Sequence, residues 1–563
     1  MEFLKASIRF ILSLVQKPLH VVYNRLMQKP LNPVKNDFIK SNADFWKSSL
    51  GGVPPKDDSS YILVLGDCHP VHQICNASLA SIVGHARDSK LLFLCGSSNP
   101  EMLTILKSYP HISFLFTDIW RYPLRLLIGF ADAVRAYQSI KTPNDLLRNF
   151  VVDGIHFGDV IYDTVLAGGY ATIDKIDLRT LKALVWFYYT RALVKFVIRG
   201  YDIRAAIVTH YITIEGATFT RYLLKDEIEI FNRLGSKEVV IKKFRTLDDL
   251  GYPKKPEKPY VDLMLKKGKG TLLELAEAYL ESKFKPETQD PDTNIAGSRK
   301  IETNRLNFCK KHGLDAKKPI AFVMLHAFND YPHSHFKRPM IFQDFYDWFI
   351  QTLRIARTVE DVNWVFKDHP ASEFYGTKDF NLSDIFSCEA SEHIRFMSFK
   401  EDFDSKSLRY LADVVITCTG TAGLENAAFG IPCILGGESQ YSGFGFTTEP
   451  KSIGEYASCL RRIGELKPLD DLQMHAAKFV YYFYFFIMQY TDFHFCPSLT
   501  FSQIDTWDDA AQALFWEMIA KNYRDVQKVN RMQDQIQDFL QFVRDPSVTQ
   551  YIDRKKFTAF PVA

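Results

Sequence analysis

The sequence predicts an α/β protein built from two Rossmann-like, doubly wound domains, each a parallel sheet with helices on both faces. Three observations predict it. Short apolar runs rich in β-branched and aromatic residues recur along the chain, with helical patterns between them. The runs are continuous rather than alternating, the pattern of strands buried on both faces. And 563 residues exceed what one core holds, since single cores rarely grow past about 250–300 residues.

The first series of runs is YILVLG (61–66), LLFLCG (91–96), ISFLFTD (112–118), AAIVTH (205–210) and EVVIKKF (238–244). The second is PIAFVMLH (319–326), VNWVFK (362–367), IRFMSF (394–399), VVITCTG (414–420) and PCILGG (432–437). Between them, residues 250–318 are rich in Pro, Gly, Lys and other polar residues, as expected of an interdomain connection. The expected organisation is an amphipathic helical segment at 1–50, a first α/β domain at 51–250 and a linker carrying the helix TLLELAEAYLESKF at 251–317. A second α/β domain follows at 318–466. Helices at 467–563, beginning with a long apolar one that ends YYFYFFIMQY, pack back on the first domain.

Composition excludes several classes. A formal net charge of +3 gives no basic stripe for nucleic acid. Nine scattered cysteines, with no C-x-x-C pair, read as reduced, buried residues of a cytosolic protein rather than disulfides or a zinc site. No run of ~18–20 apolar residues spans a membrane. Leu4, Ile8, Ile11 and Val15 recur at helical spacing beside Lys5 and Arg9. Residues 1–30 are therefore either a helix packed on the domain or a peripheral contact with the inner face of a membrane. No G-x-G-x-x-G follows the first strand and no G-x-x-x-x-G-K-[ST] exists, which removes dinucleotide dehydrogenases and P-loop enzymes.

Two segments carry the chemistry. In the first, a strand (VVITC) ends at Thr419-Gly420-Thr421-Ala422-Gly423, and a helix with Glu425 in its first turns follows. Backbone amides of such a small-residue loop suit a phosphate or diphosphate, and Glu425 can accept from ribose hydroxyls. In the second, a strand delivers Lys367-Asp368-His369-Pro370 at its end. Lys367 is a point charge for phosphate, and His369 can hydrogen-bond a phosphate oxygen or pass a proton to the leaving group. Each alternatively is an ordinary strand-end turn; their placement some fifty residues apart in one domain joins them into one expected site.

Together, K-D-H-P, the A-D-V-V-I-T strand and T-G-T-A-G-L-E-N-A-A-F-G-I-P resemble the GT-B glycosyltransferases of surface polysaccharide synthesis. The likeness is to capsule polysaccharide biosynthesis proteins, whose relatives include bacterial Kdo transferases. The layout is also similar to polyol-phosphate transferases of teichoic acid synthesis, and a non-catalytic GT-B protein that binds or scaffolds glycan machinery is the third reading. The resemblance is best over about 319–450. It implies transfer from a nucleotide-sugar donor held by the second domain to a glycan or lipid-linked glycan acceptor on the first, with no cofactor and generally no metal.

Further candidates line the expected cleft at strand carboxyl ends. His326, Asp330, His333 and His335 follow the first strand of the second domain and read as a donor-contacting loop, a metal site or a solvated loop. Ser439 and Tyr441 follow PCILGG and are placed beside the donor. In the first domain, Asp67 and His69 follow YILVLG. They are candidates for the base that activates the acceptor hydroxyl, or for helix capping. Clusters at Asp153–Asp163 and Thr209–Gly216 are placed on the acceptor side or as caps. Asp290-Pro291-Asp292 matches D-x-D but sits in a polar linker without the apolar strand such a metal motif needs, and in Asp402-Phe403-Asp404 the second Asp, or Ser405, reads as the start of the helix SLRYLAD.

Overall fold

The computed structural model describes residues 31–551, apart from 52–54, 56–58, 67–68, 98, 236–237, 252–254, 257, 259–260, 263–265, 267–268, 285–299, 335–339, 374–375, 390, 488–490, 498 and 500. The N-terminal segment 1–30, Asp67, His335 and the D-x-D at 290–292 lie outside the described residues.

The chain forms two units. The first takes the described residues of 31–139, 181–249 and 491–551. Its strands are β1 (Ser60–Leu65), β2 (Lys90–Cys95), β3 (Ile112–Phe116), β4 (Asp202–Val208), β5 (Glu229–Gly235) and β6 (Glu238–Phe244). They run in the order β6-β5-β4-β1-β2-β3, with the two-residue strand Thr491–Asp492 outside β6. Strands β1 to β5 pair in parallel. The run 238–244 breaks the expected pattern: β6 pairs antiparallel with β5 as a hairpin. Antiparallel neighbours can be joined by a hairpin, whereas parallel neighbours need a crossover. β5 itself went unread in the sequence because EIFNRLG carries Asn232 and Arg233 inside the strand, both buried.

Helix α1 (Pro33–Leu50) starts at Asn32, whose side chain accepts from the Lys35 amide, and ends at Gly51 in the left-handed region. Its Phe38 and Phe45 both meet Tyr523 edge-on at 5.3 Å. Helix α2 (Pro70–Ala86) packs on β1, β2 and β4, and the helices α3 (Pro123–Ser139) and α4 (Leu178–Gly200) lie in the chain between β3 and β4. The C-terminal helix Val526–Arg544 adds Met532, Ile536, Phe539 and Val543 to the same core.

The second unit takes the described residues of 140–180 and 250–489. Its strands are β7 (Ile320–Met324), β8 (Asn363–Lys367), β9 (Ile394–Met397), β10 (Val414–Thr417), β11 (Cys433–Leu435) and β12 (Thr447–Thr448). The order is β9-β8-β7-β10-β11-β12 and every pairing is parallel. Helix α5 (Phe345–Ala356) packs its Trp348, Phe349 and Leu353 into this core. The expected two-sheet α/β class is what the topology shows.

Two segments fall differently from the expected boundaries. Residues 140–180, placed in the first domain by sequence, belong to the second unit. Buried polar bonds fasten them there: Asp163 accepts from the amides of His333 (3.0 Å) and Ser334 (2.6 Å) and from the Ser334 hydroxyl (2.7 Å). Asp344 accepts from Tyr162 (2.7 Å) and Thr172 (2.6 Å). Residues 467–487 also stay with the second unit. Helix Asp471–Tyr482 lies on helix Lys269–Phe284, where Tyr279 packs on Tyr482 at 5.5 Å and on Phe486 at 5.2 Å. The long apolar helix expected there turns into a π-helical stretch at Phe483–Ile487.

Candidate functional site

Strand order locates the crevice of the second sheet. β7 comes first in sequence; β8 and β9 extend the sheet on one side of it, β10 to β12 on the other. Successive connections therefore diverge between β7 and β10. In open α/β sheets, ligands bind outside the strand carboxyl ends at such a switch point. The segments after β7, β8 and β10 carry His326, Lys367 with His369, and Thr419–Ala422. With neighbouring strands ~4.8 Å apart, Lys367 and Thr417 stand two strands, or about 10 Å, from each other along one edge.

His326 fixes the middle of this edge. Its ring stacks on Phe345, centroids 4.2 Å apart and 10° from parallel, and meets Trp348 edge-on. Nε2 lies 3.2 Å from the Thr419 amide and 3.2 Å from the Thr417 hydroxyl. The Thr417 oxygen in turn accepts from the Gly420 amide at 3.2 Å. This pattern requires an unprotonated Nε2 that accepts from both Thr419 and Thr417. Burial, with His369 nearby, holds the His326 pKa down to about 3, so the ring is neutral around pH 7. His326 braces the 417–420 bend through Nε2.

Consequently, the amides of Thr419 and Gly420 are already engaged. Those of Thr421 and Ala422 donate to no described residue, and Thr421 makes no side-chain cap to helix α6 (Ala422–Ala427). Tyr441, placed beside the donor by sequence, is instead buried beneath the loop and donates to the Gly420 carbonyl at 2.5 Å. Gly423 is required below it: a Cβ there would stand 2.3 Å from the Tyr441 hydroxyl and 2.7 Å from Cys433 Sγ. Ser439 is fully buried, bonded to Ser442 and to the Tyr441 amide. It shapes its own turn and presents nothing to the edge. Glu425 is half-buried in the first turn of α6.

Lys367 ends β8, buried at 3% exposure, with its carbonyl accepting from the Leu325 amide at 2.9 Å. His369 is half-buried. Burial first, and then the Lys367 charge, lower its pKa to about 4. His369 is therefore neutral around pH 7. Asp368 turns inward and accepts from the Ser372 hydroxyl at 2.7 Å and from the His369 amide at 2.8 Å, fixing the strand-end turn.

His333 does not reach the edge. It is buried at 3% exposure with Nε2 2.8 Å from the Gln343 carbonyl, and burial lowers its pKa to about 4. Asp330 is exposed in a turn closed by its amide on the Ala327 carbonyl. Among the described residues, no group of three or more His, Cys, Asp or Glu could hold a metal ion. Among the described residues, no helix is long and apolar enough to cross a membrane either.

In the first unit, His69 caps α2: its Nδ1 accepts from the Val71 amide at 3.2 Å. Its Nε2 faces the Ile504 carbonyl at 3.1 Å, and its ring packs on Trp507 at 4.5 Å. Both ring nitrogens are committed, so His69 is built as a cap rather than as a base. A network unread in the sequence lies beside it. Buried Arg233 donates to Asn76 (2.8 Å), to Thr209 (3.0 Å) and to the Gly235 carbonyl, and its Nη2 stands 3.3 Å from His72 Nδ1. His72 thereby keeps its proton on Nε2. The one sequence signal was the Asn-Arg pair inside an otherwise apolar strand. Asp163, placed on the acceptor side or as a cap, is the buried fastening described above.

No protein-family model matches the chain, and no curated protein matches it. Solved structures do show similarity. A Thermosulfurimonas dismutans KpsC, a β-Kdo 2,4 transferase, shares 12% identity over 49% of this chain and 79% of its own, with a TM-score of 0.30. UDP-GlcNAc 2-epimerase from Neisseria meningitidis, bound to UDP-GlcNAc, shares 7% identity over 75% of this chain and 99% of its own, TM-score 0.24. Anabaena HepE, in complex with UDP and glucose, shares 10% identity over 86% of this chain and 100% of its own, TM-score 0.23.

Proposed function

We propose that this chain is a GT-B-type glycosyltransferase that moves a sugar from a nucleotide-activated donor to a surface or capsular glycan acceptor. The observation that carries this reading is the shared carboxyl edge. Lys367 and His369 at the end of β8 and the braced 417–422 bend after β10 lie along the carboxyl edge of the second sheet, on either side of β7. In the reading, the donor's phosphate groups lie along this edge. The Thr421 and Ala422 amides and the Lys367 ammonium stabilise the charge that grows as the sugar–phosphate bond breaks. Preorganised donors of this kind are usually the largest catalytic contribution. Neutral His369 hydrogen-bonds a phosphate oxygen, and Glu425 accepts from ribose hydroxyls. Asp67, which follows β1 in sequence, removes the proton of the acceptor hydroxyl, with His69 holding the helix start behind it.

The test is nucleotide release from a panel of nucleotide sugars, with and without glycan acceptors. Release that requires acceptor, and falls roughly 10²–10³-fold in Lys367→Ala, supports the reading. A phosphodiester product would make the enzyme a polyol-phosphate transferase. Full turnover in Lys367→Ala and His369→Ala would remove the site.

A further inference from the structure

Helix α3 leaves one face to solvent. It follows β3 through a single turn, Ile119–Arg121, at the carboxyl edge of the first sheet. Its inner face holds Gly129, Ala133 and Ala136, and Gly129 lets it approach α4 so closely that a Cβ would stand 3.0 Å from the Tyr189 amide. The opposite face shows Leu124 at 73%, Leu127 at 65% and Ile128 at 62% exposure, with exposed Ala131 completing the i, i+3, i+4, i+7 row. Phe130, at 46%, flanks it. No core need explains a face of this kind, because contiguous exposed apolar side chains mark contact surfaces.

The charges around the row are cationic. Arg121 stands at its head and Arg135 one turn beyond Ala131 at its foot; Arg125 and Arg191 flank it. Against these four stand two aspartates, Asp118 paired with Arg121 and Asp132 paired with Arg135 and Arg191. The patch keeps a charge of +2. Trp120 lies under the Arg121 guanidinium at 4.5 Å and Tyr122 under that of Arg125 at 4.5 Å, both at the head of the row. Tryptophan, tyrosine and arginine bordering an apolar helix face is the composition that sits at a membrane–water interface.

We propose that the outer face of α3 docks the first unit on a membrane surface bearing anionic lipid headgroups. The apolar row enters the acyl boundary and the arginines meet the headgroups. This does not rest on the transferase reading, since none of these residues belongs to the donor edge.

The experiment is co-flotation of the full chain with phosphatidylcholine vesicles, with and without phosphatidylserine. The wild type is expected to float with phosphatidylserine vesicles and to be released by salt. Leu127→Glu/Ile128→Glu should cut partitioning by ~10-fold or more. Arg121→Gln/Arg135→Gln should cut it roughly tenfold on anionic vesicles only. Leu472→Glu, at a position 71% exposed in the second unit, should change nothing. If the apolar pair variant melts early, the arginine pair decides, its side chains lying outside the core. The proposal is overturned by a wild type that stays off vesicles, or by variants that float as the wild type does. Loss of self-association instead of vesicle binding in the apolar variant would also overturn it, assigning the face to a second copy of this chain.

Discussion

Gly423→Ala probes how the 417–422 bend is held, and its cost can be worked from the packing. The new methyl would stand 2.3 Å from the Tyr441 hydroxyl, 2.7 Å from Cys433 Sγ and 3.2 Å from Tyr441 Cζ. The hydroxyl must retreat by about 1 Å to reach ordinary contact, and its 2.5 Å bond to the Gly420 carbonyl is then lost. Overpacking costs ~1–3 kcal/mol and a stranded buried hydroxyl ~1–3 kcal/mol more. The expected loss is about 2–6 kcal/mol. Tyr441→Phe alone removes only the bond, about 1–2 kcal/mol. Because the hydroxyl is the nearest obstacle, the double variant should be less destabilised than the sum of the singles by about 1–2 kcal/mol. Cys433 keeps the rescue partial. Urea unfolding followed by hydrogen exchange of peptides from 414–446 reads the second unit separately from the first. Additivity within ~0.5 kcal/mol would refute the proposed clash.

Other predictions follow from the same geometry. Asp163, whose pKa burial raises to about 8, receives two amides and a hydroxyl on one carboxyl oxygen; Asp163→Ala strands all three, a loss of about 3–5 kcal/mol is expected, and a melting temperature unchanged within a degree would contradict it. His333 is neutral in the fold, with its pKa lowered to about 4 from 6.5. The unfolded chain therefore binds the extra proton between those values, and stability falls as pH drops from 6.5 towards 4, by at most about 3 kcal/mol. Urea midpoints at pH 7 and pH 5 should differ less in His333→Gln than in the wild type; equal differences would remove this origin. Asp67→Asn should abolish acceptor-dependent turnover while leaving nucleotide affinity within about twofold, read by single-turnover assay and calorimetry.

Much of the fold was legible because buried parallel strands need continuous apolar runs, and those are visible without partners. What escaped were elements set by long-range polar contacts. Residues 140–180 read as part of the first domain because nothing local shows that Asp163 meets His333 and Ser334. β5 escaped because its Arg233 is a buried network residue, not a solvated one. In the candidate site, the structure gives several of the expected residues partners that the sequence does not show. His326 and Tyr441 are the right types to grip a ligand, yet the Phe345 stack and the Gly420 bond turn both inward as braces. His69 likewise carries an imidazole at a strand end, but its partners, Val71 and Ile504, make it a cap.

Calorimetric titration of nucleoside mono- and diphosphates into the wild type and Lys367→Ala tests the centre of this account most directly. At least one nucleotide should bind the wild type, and the variant should bind it at least tenfold more weakly while melting as a folded protein. Equal affinity in both proteins would place the anion elsewhere, and no binding by any nucleotide would remove the donor site from the second sheet.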